Sequence, residues 1–320
     1  MQKIRTAYFG SPDFAAKFLE LMITDNDSPF EVVLVVTQPD KPVGRKQILT
    51  PSPVNTVEEK YGLETFSVSR ASILQSSRID LAVLYAYGEI IPKDILAIPK
   101  FGFWNIHPSL LPLYRGATPT TFPLLFGDKV TGVTLMEMAE KLDAGAILAQ
   151  EKYEINPDSR RPDLEQDLTK QAYQVLKRTV LNSPDLSFLS RTPQDESRAT
   201  FTRMISKQDG FLSLPVLQKA LQNEPLTPEE IPQIAQWYIS RNPSAEIKLP
   251  GSAEIVYNLY RALYPWPGLW TFFPTTNGER RLKLTELKRV NGKLELIKVQ
   301  LEGKNEVDYP TFTKAYGELK

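Results

Sequence analysis

Short blocks of β-branched, aromatic and other apolar residues open the chain and return at intervals, at 3–10 (KIRTAYFG), 31–38 (EVVLVVTQ), 80–88 (DLAVLYAYG) and 102–107 (GFWNIH). Each has strand length and stops at Gly, Pro or a polar turn, which predicts a β-strand. Between them, 12–24 (PDFAAKFLELMIT), 51–62 (PSPVNTVEEKYG) and 92–99 (PKDILAIP) space their apolar residues at helical intervals, with proline near the start, where a missing N–H leaves no bond unmade. Alternation of the two patterns, with strands apolar almost throughout, predicts a parallel, doubly wound α/β sheet. Two more strands are expected at 130–138 and 146–155, and 163–181 predicts a long amphipathic helix that closes the domain near residue 183.

The pattern then breaks. Residues 182–210 are rich in Ser, Pro and charge without sustained periodicity, and the middle of the stretch reads as a linker. Beyond it, 254–268 (EIVYNLYRALYPWPG) predicts a helix stopped by Pro-Trp-Pro. Strands are expected at 269–273, 281–290 and 293–303, the last two joined by the hairpin-type pair Asn291-Gly292. A small β-barrel fits that pattern.

Composition narrows the class. A chain of 320 residues, 42% hydrophobic and 24% charged, suggests two domains with ample core. No apolar run approaches the ~18 residues that a membrane span needs, and the opening MQKIRTAYFG reads as a first strand and not as a signal peptide. Zero cysteines exclude a disulfide framework, a thiolate nucleophile and Cys-ligated zinc, and a single histidine makes a transition-metal site unexpected. The formal net charge is +0, so binding to a polyanion has to come from local asymmetry.

Chemistry concentrates at one strand end. The first turn, Gly10-Ser11-Pro12-Asp13, lacks the dinucleotide fingerprint and reads as a tight turn, and no Walker loop, serine-hydrolase elbow or H-E-x-x-H motif is present. The one histidine, His107, follows Asn105 by two residues, so on a strand both project to the same side. An amide beside an imidazole can stabilise an oxyanion, and imidazole also moves protons near neutral pH. Asp143, in 141–147 (KLDAGAI), is a carboxylate that either orients the histidine or caps a turn. No nucleophile stands out, which leaves stabilisation of an intermediate between two bound substrates.

Asn105-x-His107 followed by Ser109-Leu110-Leu111-Pro112-x-Tyr114-Arg115-Gly116-Ala117, with Gly127, Asp128, Thr131 to Thr134 and Asp143-x-Gly145 further on, resembles the signature of folate-dependent formyltransferases. The resemblance implies a Rossmann-like parallel α/β catalytic domain followed by a small OB-like β-barrel. It implies Asn105, His107 and Asp143 as the catalytic trio and 10-formyltetrahydrofolate as formyl donor, with no metal. Tetrahydrofolate is expected against Ser109, Leu110, Leu111, Pro112, Tyr87, Gly88, Ile90 and Ile91, with a cis bond at Leu111–Pro112. The stretch 37–54 resembles the basic loop of those members that formylate methionyl initiator tRNA, which makes Arg45, Lys41 and Lys46 candidate tRNA contacts. Between Arg261 and Lys304 stand nine basic and four acidic residues, so a basic barrel face is expected as well.

The expected domains are 1–189 (catalytic), 190–206 (linker) and 207–320 (abbreviated OB-like, tRNA-binding), with an insertion near 212–250 that departs from the family pattern. Initiator tRNA and tetrahydrofolate are the expected partners of a cytoplasmic monomer without membrane attachment. Three other readings share parts of this pattern: a sugar-nucleotide N-formyltransferase, a formyltetrahydrofolate hydrolase, and a non-catalytic folate- or RNA-binding protein.

Overall fold

A computed structural model describes residues 3–43, 47–63, 65–66, 78–183, 185–276 and 278–319. The chain divides into two compact units: Met1–Ala117, Thr131–Glu154 and Glu165–Ala199 form the first, and Thr118–Val130, Ile155–Leu164 and Thr200–Lys320 the second.

In the first unit the strands are β1 (Ile4–Gly10), β2 (Phe30–Val36), β3 (Lys41–Val43), β4 (Ile48–Thr50), β5 (Thr65–Phe66), β6 (Leu81–Tyr85), β7 (Phe103–His107), β8 (Val130–Glu137, whose first residue clusters with the second unit) and β9 (Ile147–Glu154). Seven form one sheet in the order β5-β2-β1-β6-β7-β8-β9, and β3 pairs with β4 in a separate antiparallel hairpin. The five strands from β5 to β7 are parallel. Strand β8 departs from the expected all-parallel order by running antiparallel to β7. The link from His107 to β8 is a loop and a six-residue helix, Thr121–Phe126, that packs on the helix Ser252–Leu263.

Helices α1 (Asp13–Thr24) and α2 (Pro53–Tyr61) belong to the first unit, as does most of α5 (Arg161–Leu181). The predicted helix at 92–99 shrinks to one turn, α3 (Lys93–Leu96). Pro92 starts it, and Pro99 prevents its continuation. Under the sheet, Ala7, Phe9, Leu34, Val36, Ala82, Leu84 and Phe103 form a buried apolar cluster with Tyr87, Ile91 and Ile95.

The second unit holds α4 (Thr121–Phe126), α6 (Leu214–Gln222), α7 (Gln233–Arg241), α8 (Ser252–Leu263) and α9 (Tyr309–Tyr316). Its sheet has four antiparallel strands, β10 (Leu269–Thr275), β11 (Gly278–Val290), β12 (Lys293–Leu301) and β13 (Val307–Asp308), paired in that linear order. The expected insertion near 212–250 is helical: α6 buries Val216, Leu217 and Ala220, and α7 buries Ile234, Ala235 and Tyr238. All six residues of α4 are buried, with Phe122 and Phe126 against Tyr238 at ring distances of 4.8 and 4.9 Å, and α4 also packs on α8.

Within the proposed linker 190–206, residues up to Ala199 cluster with the first unit and those from Thr200 with the second. One expectation about the second half needs correcting. Arg261, counted on the basic face, is only 5% exposed and bonds Asn258 and the Ser159 carbonyl. A guanidinium inside a helix interface is a structural anchor and not a phosphate contact. Arg281, Arg289 and Lys298 pair with Glu302, Glu254 and Glu286, while Lys283 and Lys288 stay exposed.

Candidate active site

The site starts from β7, whose five residues are all buried between parallel β6 and antiparallel β8. Asn105 lies opposite Met136 and His107 opposite Thr134 across the β8 ladder. The two-residue spacing puts both side chains on one face at the carboxyl end of the strand, where open α/β sheets bind ligands.

Asp143 arrives from the β8–β9 loop. Its backbone is in the left-handed region at φ +49°, which an aspartate tolerates better than most residues. Two residues on, a Cβ at Gly145 would lie 1.7 Å from the Glu137 carbonyl oxygen, so only glycine permits the tight return. Asp143 Oδ2 accepts from the Gly116 amide at 2.7 Å and lies 3.7 Å from His107 Nδ1. Asp143 Oδ1 accepts from Asn105 Nδ2 at 3.4 Å. Their side chains are almost fully buried, with 5% of His107 and 10% of Asp143 exposed.

The proton positions follow from the acceptors. His107 Nε2 lies 2.9 Å from the Tyr114 carbonyl oxygen, which can only accept, so Nε2 carries a hydrogen and donates it. The nitrogen facing Asp143 is therefore Nδ1. Its 3.7 Å separation from the carboxylate is longer than a hydrogen bond, and the Asn105 bond is at the long limit. Asn105 thus leans a weak donor on one firmly held carboxylate, and His107 turns Nδ1 toward the same group without a hydrogen bond.

The Ser-Leu-Leu-Pro loop leaves the same strand end. Ser109 is fully buried, and its hydroxyl donates to the Leu113 carbonyl at 2.7 Å. Thr134 donates to the Ser109 carbonyl and accepts from the Leu111 amide, while Gln150 donates to both Thr134 Oγ1 and the Leu111 carbonyl. Leu111–Pro112 is cis, as expected. The other expected folate segment leaves the carboxyl end of neighbouring β6. There Tyr87 and Ile91 are core residues with their side chains packed in the apolar cluster, whereas Ile90 is 92% exposed and Gly88 is exposed.

Of the candidate tRNA contacts, Arg45 and Lys46 lie outside the described residues. Lys41 is exposed on β3 and donates to Gln38 at 2.7 Å, and the neighbouring strand β4 exposes Ile48 and Leu49.

Two polar residues stand around the trio, one inside the signature without an expected role and one outside it. Arg115 is 2% exposed, and Gln194 comes from the stretch read as a linker. Gln194 Nε2 donates to the Asp143 and Gly145 carbonyls, both at 2.8 Å, and Gln194 Oε1 accepts from Arg115 at 2.8 and 3.1 Å. Arg115 also forks onto Glu196 and holds that carboxyl below its ordinary range. The motif contained Arg115 but not its partners, which stand some 80 residues away in a segment without periodicity.

Comparison with known proteins gives the family. The profile of the family described as formyl transferase matches residues 2–180, and that of its C-terminal domain matches 241–294. A methionyl-tRNA formyltransferase of Herpetosiphon aurantiacus is 36% identical over 309 residues, covering 94% of each chain. One of Caldicellulosiruptor saccharolyticus is 37% identical over 273 residues, covering 83% of this chain and 75% of its own. Among solved structures, an N-formyltransferase of Helicobacter canadensis, in complex with folinic acid and dTDP-3-aminofucose, superposes with a TM-score of 0.53 at 15% identity, over 93% of this chain and 95% of its own; at that identity the likeness speaks to the fold alone. Profile matches to both domains and relatives this similar over nearly the full length, joined to the converging Asn, His and Asp, show that the chain belongs to the formyltransferase family, in the branch whose members are named methionyl-tRNA formyltransferase.

Proposed function

We propose that the protein transfers a formyl group from 10-formyltetrahydrofolate to the α-amine of methionyl initiator tRNA. The observation that carries the reaction is the meeting of Asn105 and His107 at the Asp143 carboxylate, which neither of them grips closely. The acceptor is supported by the relatives and by the exposed hairpin that bears Lys41, Ile48 and Leu49.

The residues present suit a folate. Exposed Ile90 and half-buried Leu110 and Pro112 offer apolar surface at the edge where the backbone of 87–91 and 109–112 emerges. When bound, the folate supplies the formyl carbon that the amine attacks, and its N10 departs with the bond it held. Asn105 Nδ2–H, and Nδ1–H of His107 when the imidazole is doubly protonated, donate to the formyl oxygen as charge develops there, which is where preorganised donors lower the barrier most. The Tyr114 carbonyl keeps the imidazole from rotating. Asp143, fixed by the Gly116 amide, takes the amine proton directly or through water and balances the charge beside His107.

The test is a single-turnover assay with 10-formyltetrahydrofolate and methionyl initiator tRNA, beside free methionine, an amino-sugar nucleotide and no acceptor. Formyl-methionyl-tRNA is expected from the wild type alone among these acceptors. Asn105→Ala should lose ~10²–10³ in rate, the usual cost of one oxyanion donor, without loss of folding. Formyl transfer to the sugar or to water instead would overturn the acceptor.

A further inference from the structure

We infer that the stretch following α5 belongs to the reaction centre, with Gln194 as the positioning residue for Asp143. The inference rests on the trio being that centre. It extends the centre into a segment whose composition reads as connecting chain.

Gln194 uses its whole hydrogen-bonding capacity at this spot. Both amide hydrogens go to carbonyls of the Asp143 loop, and both lone pairs of Oε1 receive Arg115. Arg115 is followed in the chain by Gly116, whose amide holds Asp143 Oδ2. A closed ring results: Asp143 carbonyl, Gln194, Arg115, Gly116, Asp143 carboxylate. It fixes the backbone and the side chain of one residue from opposite ends. The residue before Arg115, Tyr114, receives His107 Nε2, so three consecutive residues set the histidine, the glutamine and the aspartate against one another.

The segment is itself anchored on both sides of that loop. Thr192 exchanges two backbone bonds with Ile147, the first residue of β9, at 2.8 and 2.9 Å. Arg191 bonds Glu137, the last residue of β8, at 2.7 Å. Gln194 is thereby presented to the loop from the two strands that carry the loop. Asp143 needs this hold, because its left-handed backbone has no glycine to relax it and its carboxylate must stay within reach of Asn105 and His107, which do not grip it.

The experiment uses the full chain and its one histidine, which gives a single imidazole spectrum free of overlap. Gln194→Glu keeps the volume and the Arg115 contact but turns lone pairs toward the Asp143 and Gly145 carbonyls. Gln194→Ala removes the contacts altogether. Both are expected to shift the His107 Nδ1 nitrogen-15 resonance, because the carboxylate facing it moves. Both should lower kcat by on the order of 10²-fold with KM for donor and acceptor little changed, the cost of a small misplacement of a reacting group. A glutamine that served stability only would lower Tm and leave both readouts of the folded protein alone. An unshifted resonance in folded Gln194→Glu overturns the inference, whatever the rates. The spectrum needs neither folate nor tRNA, so a wild type inactive on methionyl-tRNA would sink the acceptor assignment and leave this question decided.

Discussion

Gly145 sets the shape of the reactive loop as firmly as any group with chemistry of its own. A methyl group there would lie far inside van der Waals contact with the Glu137 carbonyl, and that strand end is pinned by the Glu137 amide donating to the Ala146 carbonyl. Gly145→Ala should therefore cost about 1–3 kcal/mol of stability, the range for overpacking. It should also depress kcat as Asp143 is displaced, which denaturant melts and single-turnover rates would register separately. At this scale the sequence was readable where chemistry and spacing coincide: Asn105 and His107 two apart on a strand, and Asp143 before a glycine. The tautomer of His107 was not readable, because it is set by the Tyr114 carbonyl seven residues on. Gln194 was invisible because its partners are distant in the chain and its neighbours are turn-forming residues.

Helices are held to the sheet by apolar faces and, in one case, by a charge cluster at the end of α1. Asp25 accepts from Lys177 at 2.6 Å and from Tyr173 at 2.7 Å, both on α5. Those bonds, the lysine's first, lower its carboxyl to about 2. A folded-state value below the unfolded one adds stability above the ordinary carboxylate range, and that stability drains away as pH falls through about 2. Lys177→Met should cost about 1 kcal/mol at neutral pH after allowance for solvent screening, and the gap to the wild type should close in acid melts. Helix α5 was readable from its 3.6-residue period. The direction of β8 was not, since a period of two is the same for either orientation, and a linear four-stranded sheet leaves the same trace in sequence as a closed barrel. The hairpin of β3 and β4 was hidden because both strands are short and bear polar residues.

Across the whole molecule the balanced charge hides a buried carboxyl that, among the described residues, no cation pairs. Glu58 on α2 is 8% exposed, and among the described residues its Oε2 has no hydrogen-bond partner. Burial, helped by the charge of Glu59, pushes it up to about 7. Because the folded value lies above the unfolded one, its contribution is complete in acid below the ordinary carboxylate range and is lost as pH rises through about 7. Glu58→Gln should thus gain on the order of 2 kcal/mol at pH 8 and almost nothing at pH 4, as thermal melts at the two values would show. The two-unit organisation was half readable: the change of composition marks where the second unit's main stretch begins. That Thr118–Val130 and Ile155–Leu164 also belong to it leaves no compositional mark, because those segments are short and their partners come late. The order of translation turns this into a timing problem. The ribosome releases α4, with Phe122, Leu124, Leu125 and Phe126, long before it has made α7 and α8, the helices that cover it. While the residues between α4 and α8 are being made, the nascent chain carries that hexapeptide without its α8 cover, and a product truncated before Ser252 never gains it, which makes such fragments ready clients for chaperones and proteases.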